Sequence, residues 1–199
     1  MPAGVGLEGC ADVVRLKEDV DRPLHFLSTL PPSVPGIRLQ LMLKRYFQKL
    51  GGTYMLGDSV TGGDFEDGRL KAITTRNHGD FKFEADNFIL ATGSLFSKGL
   101  VSDMDGVREP VFGLDVDFLS GRSQWYEKNM FDAQPYMSFG VSVGDDFNVF
   151  RNGKRVDNLY AAGAVLSGFN ALKEGSGAGV SIITALHVSS LILNSNRMS

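Results

Sequence analysis

Residues 180–193 read VSIITALHVSSLIL, a stretch apolar on nearly every face of the helix it would form. A helix with no polar face belongs between layers and not on a surface. The rest of the chain therefore has to supply those layers. Ser181, Thr184, His187, Ser189 and Ser190 interrupt the stretch, so no run of about 18 uninterrupted apolar residues exists and no membrane span is expected. Immediately before it stands Glu174-Gly175-Ser176-Gly177-Ala178-Gly179. Glycine makes up 24 of the 199 residues, above the usual share of about 7%. Such clusters mark backbone that something approaches closely.

Upstream, residues 11–20 form a short amphipathic helix candidate, and Pro31, Pro32 and Pro35 predict an extended link. From 37 to 50, Leu39, Met42, Leu43, Tyr46, Phe47 and Leu50 recur at helical spacing, and Gly51-Gly52 supplies the stop. The period then switches to two. Strands are expected at 53–56, 59–61, 65–75 and 81–91, with a hairpin turn at Asp67-Gly68 and another turn at Asn77-His78-Gly79. The last of these strands, 87–91, ends in Ala91-Thr92-Gly93, and a later one, 158–162, ends at Gly163. Apolar strands that finish in small-residue turns suit a layered α/β domain whose ligands sit at strand C-termini.

Residues 94–155 keep no period and carry an aromatic series, Trp125, Tyr126, Phe131, Tyr136 and Phe139. The expected division is thus a helical and irregular cap part (1–50), strands with an antiparallel meander (51–93), an inserted cap region (94–155), and a final strand with its helix (156–199).

With 43% hydrophobic and 22% charged residues the chain is globular in composition. A net charge of −3 supplies no basic face for nucleic acid. A single cysteine, Cys10, excludes an internal disulfide framework and a multi-thiolate zinc site, and suits a reducing cytoplasm. The first nine residues lack the basic start of a signal peptide.

The glycines at 175, 177 and 179 allow two readings. They present amides at a positive helix start to an anion or a flavin carbonyl, or they only turn the chain and pack a helix closely. They are not a dinucleotide fingerprint, which needs G-x-G-x-x-G directly after a strand. The two strand ends, Ala91-Thr92-Gly93 and Ala161-Ala162-Gly163, would let a cofactor lie against backbone. Arg38, Lys98, Arg108 and Lys173 are the cations nearest these segments. His25, His78 and His187 lack ligand spacing, so no metal site is expected, and His187 reads as a core histidine. No G-x-S-x-G elbow occurs, and Cys10 has no neighbouring histidine.

Four runs carry a resemblance. They are Leu30-Pro31-Pro32-Ser33-Val34-Pro35-Gly36-Ile37-Arg38-Leu39, Leu90-Ala91-Thr92-Gly93-Ser94, Arg108-Glu109-Pro110-Val111-Phe112-Gly113-Leu114-Asp115 and Asn158-Leu159-Tyr160-Ala161-Ala162-Gly163-Ala164. Together with Ala133-Gln134-Pro135-Tyr136 and 174–179, the chain resembles the family of B-type subunits of anaerobic glycerol-3-phosphate dehydrogenase, flavoproteins of the two-dinucleotide-binding-domain class.

Members of that family begin with a strand, a G-x-G-x-x-G turn and a helix, and nothing here corresponds to them. The resemblance therefore implies the C-terminal part only, an incomplete Rossmann-like flavin-binding fold with an antiparallel meander and an inserted cap. Alone, such a part is expected to be inactive and to carry an unpaired sheet edge prone to association.

The resemblance further implies FMN, or alternatively FAD, and oxidation of sn-glycerol 3-phosphate to dihydroxyacetone phosphate with electrons passed to quinone. Its implied partners are an A-type dehydrogenase subunit and an iron–sulfur subunit that holds the complex at the inner face of the membrane. Ala91, Thr92, Gly93, Gly163 and Ala164 would line the flavin, and Gly175, Ser176, Gly177, Ala178 and Gly179 would face its pyrimidine edge. Arg38 and Arg108 are candidate anion contacts. The competing reading is a non-catalytic module whose aromatic region, 125–139, docks a partner subunit. A flavoenzyme of different substrate is the third.

Overall fold

The computed structural model describes residues 3–198 apart from 28 and 30–32, with no account of the side chains of 196–198. The chain divides into two compact units, Met1–Gly57 and Asp58–Ser199.

The first unit holds helices α1 (Ala11–Asp19) and α2 (Val34–Lys49). The second starts three residues before its apolar period. The Ser33 hydroxyl caps it by accepting from the Gly36 amide at 3.2 Å, and Pro35 occupies the first turn, where a missing N–H leaves no bond unmade. Pro35 therefore opens a helix instead of an extended link; Pro31 and Pro32 lie outside the described residues. The amides of Leu50, Gly51 and Gly52 fold back onto the carbonyls of 46–48, with Gly51 at φ +90°, so the glycine stop is as expected. The Arg38 guanidinium donates to the Gly6 and Gly9 carbonyls at 2.9 and 3.2 Å. Neither helix buries a residue. The expected strand at 53–56 is not formed, because no neighbouring segment pairs with it.

The second unit opens with an antiparallel meander of β1 (Val60–Glu66), β2 (Arg69–Thr75) and β3 (Lys82–Glu84). Its first turn has Asp67 and Gly68 both left-handed, at φ 49° and 74°, which is the twist that a tight hairpin demands. Then follow β4 (Phe88–Leu90), the hairpin of β5 (Val101–Ser102) and β6 (Val107–Arg108), and β7 (Val116–Asp117), which pairs with β8 (Gly140–Val141). The chain continues into β9 (Asn148–Arg151), β10 (Lys154–Ala161), a short helix α3 (Ala171–Glu174) and α4 (Gly177–Met198).

The sheet that matters for the site runs β4-β10-β9. In it β4 and β10 are parallel, with Leu159 facing Phe88 and Ala161 facing Leu90, while β9 is antiparallel to β10.

One core joins the meander, both parallel strands and the irregular middle, through Leu70, Leu90, Leu159, Leu100, Phe112 and Val141. The segment 94–155 thus supplies β5 to β9 and shares that core. Buried amides tie the pieces. Asn158 accepts from the Leu70 N–H and donates to the Leu70 and Asp86 carbonyls at 2.8, 2.8 and 3.0 Å. The buried Glu109 carboxylate accepts the amides of Val111 and Phe112 at 2.9 and 2.7 Å, which fixes the loop after β6.

Helix α4 departs from its expectation. It begins at Gly177, and of its residues 177–195 only Thr184 and Val188 are buried. Ile182, Ile183, Leu186 and Leu193 are 60–68% exposed. The described residues cover a single stripe, where Val188 packs with Tyr160 and Ala162, so the enclosing layers are not provided. Its serines do not interrupt the apolar surface in the way their polarity suggests. Ser181, Ser189 and Ser190 donate back to the carbonyls of Gly177, Ala185 and Leu186. By length and composition Gly177–Ser195, of mean hydropathy 1.5, is sufficient to cross a membrane, against the expectation from run length.

Candidate functional site

Two segments singled out in the sequence stand side by side at one end of the parallel strand pair, and the helix that follows the third packs on one of them. Strand β4 runs directly into Ala91-Thr92-Gly93, and β10 into Ala162, Gly163 and Ala164, so the parallel register sets these turns side by side. The Ala162 amide donates to the Leu90 carbonyl at 3.0 Å and extends the pairing to the turn itself. The third segment, the start of α4, is drawn in by the turn at Gly163–Val165, on which the helix packs.

Their glycines do different work. Gly93 and Gly163 have φ +85° and +76°, and a Cβ on Gly93 would stand 2.7 Å from that of Ser97. Gly175, at φ +62°, ends α3 and donates to the Ala171 carbonyl. These positions are glycine for the backbone's own reasons.

Gly177 and Gly179 are otherwise. Both are helical. A Cβ on Gly177 would make only an ordinary contact with Ala171, and one on Gly179 would meet nothing within 4 Å. A glycine in a helix interior costs up to about 1 kcal/mol relative to alanine, and among the described residues no neighbour calls for one at these two first-turn positions. The first bond of the helix is Val180 N–H to the Ser176 carbonyl at 2.8 Å; the amides before it lie in the turn that has no intrahelical acceptor. Open space over an amide-rich, positive helix start fits a flavin's carbonyl edge.

Beside these segments lies a cavity of about 340 Å³ walled by Ser94, Leu95, Phe96, Tyr136, Ala164 and Phe169, among others. Among the described residues no charged side chain lines it. Lys173 stands in a neighbouring cavity of about 400 Å³ that shares Tyr136 and Leu172 with the first. Of the other candidate cations, Arg38 belongs to the first unit, where the carbonyls of Gly6 and Gly9 take its guanidinium. Arg108 pairs with Asp103 at 3.1 Å and, by that hydrogen bond, lowers the Asp103 carboxyl below its ordinary range. Lys98 closes the 3-10 turn Leu95–Ser97 in a left-handed conformation.

The histidines lie elsewhere. His187 is exposed and rests against Phe147, with ring centroids 5.4 Å apart, instead of sitting in the core as expected. His78 Nδ1 stands 2.7 Å from Asp58 and 2.9 Å from the Thr75 hydroxyl, where it clasps the meander. Asp58 also accepts the Ser59 and Asn77 amides. A hydrogen bond from Thr75, with those from the two amides and His78, holds its carboxyl at about 2. Among the described residues no three metal-ligating side chains gather.

In the aromatic series, Trp125 and Phe139 turn inward and meet edge to face at 5.5 Å, and the Trp125 indole donates to the Leu119 carbonyl. Tyr126, Met130 and Phe131 are exposed.

Other features escaped the sequence reading. A Cβ on Gly99 would lie 1.9 Å from the Gly93 carbonyl oxygen, so the chain crosses itself directly below the Ala91-Thr92-Gly93 turn. Asp117 accepts from the hydroxyls of Ser142 and Ser167 at the edge of a second cleft. Thr184 bonds the Gly163 amide. Only the excess of glycine hinted at the first of these, and no local pattern signals the other two.

Residues 7–180 match the family described as FAD binding domain, and the chain belongs to that family. Its curated relatives are narrower in kind. One from Yersinia pseudotuberculosis, named as the B-type subunit of anaerobic glycerol-3-phosphate dehydrogenase, is 42% identical over 194 residues, which cover 98% of this chain and 46% of the relative. Relatives of the same name from Pectobacterium carotovorum and Aliivibrio fischeri are 42% and 43% identical. They cover 100% and 83% of this chain, and 47% and 39% of their own lengths. The chain thus spans about half the length of most of these relatives, and the resemblance read from its four runs is upheld. No solved structure matches.

Proposed function

We propose that the chain forms the flavin-holding part of an oxidoreductase subunit. That subunit serves a complex that oxidises sn-glycerol 3-phosphate to dihydroxyacetone phosphate and passes the electrons to quinone. One observation carries this reading: Ala91-Thr92-Gly93 and Gly163-Ala164 end the paired strands β4 and β10, and α4, which opens with the helical glycines Gly177 and Gly179, packs on the Gly163 turn through Ser181 and Thr184. Parallel strand ends of this kind are where nucleotide cofactors sit.

When bound, FMN, or FAD as the alternative, supplies the capacity to accept two electrons. The chain's own residues seat and polarise it. The strand-end turns, bare of bulky side chains, let it lie against backbone. The first turn of α4 aims amides and the positive end of the helix dipole at the ring edge, where reduction builds negative charge. Ser176 stands at the entry to that turn.

The adjoining cavity has no cation in its lining, and a phosphate dianion needs one or more. In this reading glycerol 3-phosphate is held by an A-type subunit of the complex, while this part relays electrons. In the same reading the β4-β10-β9 sheet is a portion of a larger Rossmann-like layer, and the exposed flank of α4 is covered by the rest of that layer. A third, iron–sulfur subunit then carries the cytoplasmic complex to the membrane.

The test is the visible absorption of the chain, and of a full-length relative, after gel filtration with added FMN or FAD, with the retained flavin identified by mass. Retained flavin on both is the expected result. A folded full-length protein that neither copurifies with flavin nor retains it when added defeats the reading.

A further inference from the structure

We infer that Thr184 is a positioning residue that sets the Gly163 turn against the first turn of α4, and so fixes the distance between two walls of the flavin seat; this rests on the flavin reading above. Its side chain is buried, and its hydroxyl works in both directions. The Gly163 amide donates to Thr184 Oγ1 at 2.9 Å, and the same hydroxyl donates to the Val180 carbonyl at 2.6 Å. Val180 itself closes the first bond of α4.

A single oxygen thus connects the end of β10 with the opening turn of the helix. No other side-chain hydrogen bond among those seen in the described residues joins the 163–165 turn to α4. Gly163, at φ +76°, follows the extended Ala162, and its buried amide goes to Thr184 instead of to a strand neighbour. One residue earlier, the Ala162 amide still finds the Leu90 carbonyl of β4. At Gly163 the pairing passes from sheet to helix, and Thr184 receives it. A buried amide without an acceptor is expensive, so the hydroxyl decides where the helix may sit. The helix also lies alongside the turn here: a Cβ on Gly163 would make an ordinary contact, 3.5 Å, with Ser181 Oγ.

Thr184 is not itself one of the proposed seat residues; it reaches the seat only through the Gly163 amide, and the helix start through Val180. Valine at 184 keeps the shape and removes the oxygen, whereas serine keeps the oxygen. The comparison uses the whole chain as wild type, Thr184→Val, Thr184→Ser, Thr184→Ala and Val188→Ala. The last removes packing from the same buried stripe without touching the tie.

Two quantities are measured: hydrogen exchange of the Gly163 amide in the flavin-free chain, and FMN and FAD affinity by titration. Thr184→Val is expected to lose Gly163 protection and to weaken flavin binding, each by about 10-fold, the effect of one lost buried hydrogen bond. Thr184→Ser keeps both within about twofold. Val188→Ala lowers stability yet holds Gly163 protection, scaled to its stability, near the wild-type level. Should Thr184→Val not fold, Thr184→Ala carries the same expectation.

The inference is overturned if the valine and alanine variants keep Gly163 protection. It is equally overturned if their affinity falls only in step with stability, as in Val188→Ala. Should the wild-type chain bind no flavin, the same series is made in a full-length relative, and a folded relative that also binds none overturns the flavin reading and the role of Thr184 in it together. A wild type that binds flavin with Thr184→Val unaffected overturns the role of Thr184 alone.

Discussion

The apolar end of strand β10, residues 159–161, and the apolar helix α4 lie in the same unit and meet at Gly163, yet they are buried to opposite degrees. From Asn158 onward every residue of β10 is buried. Along α4 only the Thr184 and Val188 stripe is. The strand has β4 on one edge, β9 on the other and the common core on its face. Among the described residues the helix packs along one stripe, against the Gly163–Val165 turn, α3, Phe147, Tyr160 and Ala162, while Ile182, Ile183, Leu186 and Leu193 stay exposed. Apolarity thus tells how much cover a segment can use, and contacts alone tell how much it has.

The contrast breaks most visibly by truncation. Leu159→Ala, in a fully buried side chain of β10, is expected to cost about 2–5 kcal/mol in chemical denaturation. Ile183→Ala, 68% exposed on α4, should stay within about 0.5 kcal/mol. Equal costs would show that α4 is covered after all. Gly179→Ala sharpens the difference between folding and function at the helix start. Its Cβ meets nothing, so the helix gains up to about 1 kcal/mol, while flavin titration of the same variant shows weaker binding. A variant that gains stability and binds flavin unchanged removes Gly179 from the seat.

The smallest effect is local to the meander. The Asp58 carboxyl has an ordinary value of 3.8 and is held at about 2, so its hold on the meander is complete above pH 4. It is lost as pH falls from about 4 through 2. Asp58→Asn should flatten that step in an acid titration followed through the His78 and Asn77 amide signals. An unchanged step would place the transition on another carboxylate.

What the sequence reveals follows from how far each signal reaches. Helix α2 and the Asp67-Gly68 hairpin are legible because period and turn chemistry are local. The strands β4 and β10 are legible as apolar runs stopped by small residues, and with them the three glycine-containing segments of the site. The stretch 53–56 carries the same alternation and makes no strand, since pairing depends on a neighbour that no pattern promises. The misjudged burial of α4 has the same origin, because periodicity specifies a face and not what covers it. Glu109, Asn158 and Thr184 stayed invisible for a further reason. Each satisfies backbone groups brought close by the fold, so its residue type alone carries no message.

The Asn158 amide has a consequence in time. Its partner at Leu70 lies 88 residues earlier in the chain, and ribosomes add about 5–20 residues per second. The Leu70 peptide group thus waits about 4–18 s for the side chain that satisfies it. Through that interval the β1–β2 hairpin has to stand on its Asp67-Gly68 turn and its own ladder. The alignment of meander and central sheet then follows the meander's synthesis by that interval, and an early chaperone or a partner strand would have its opening there.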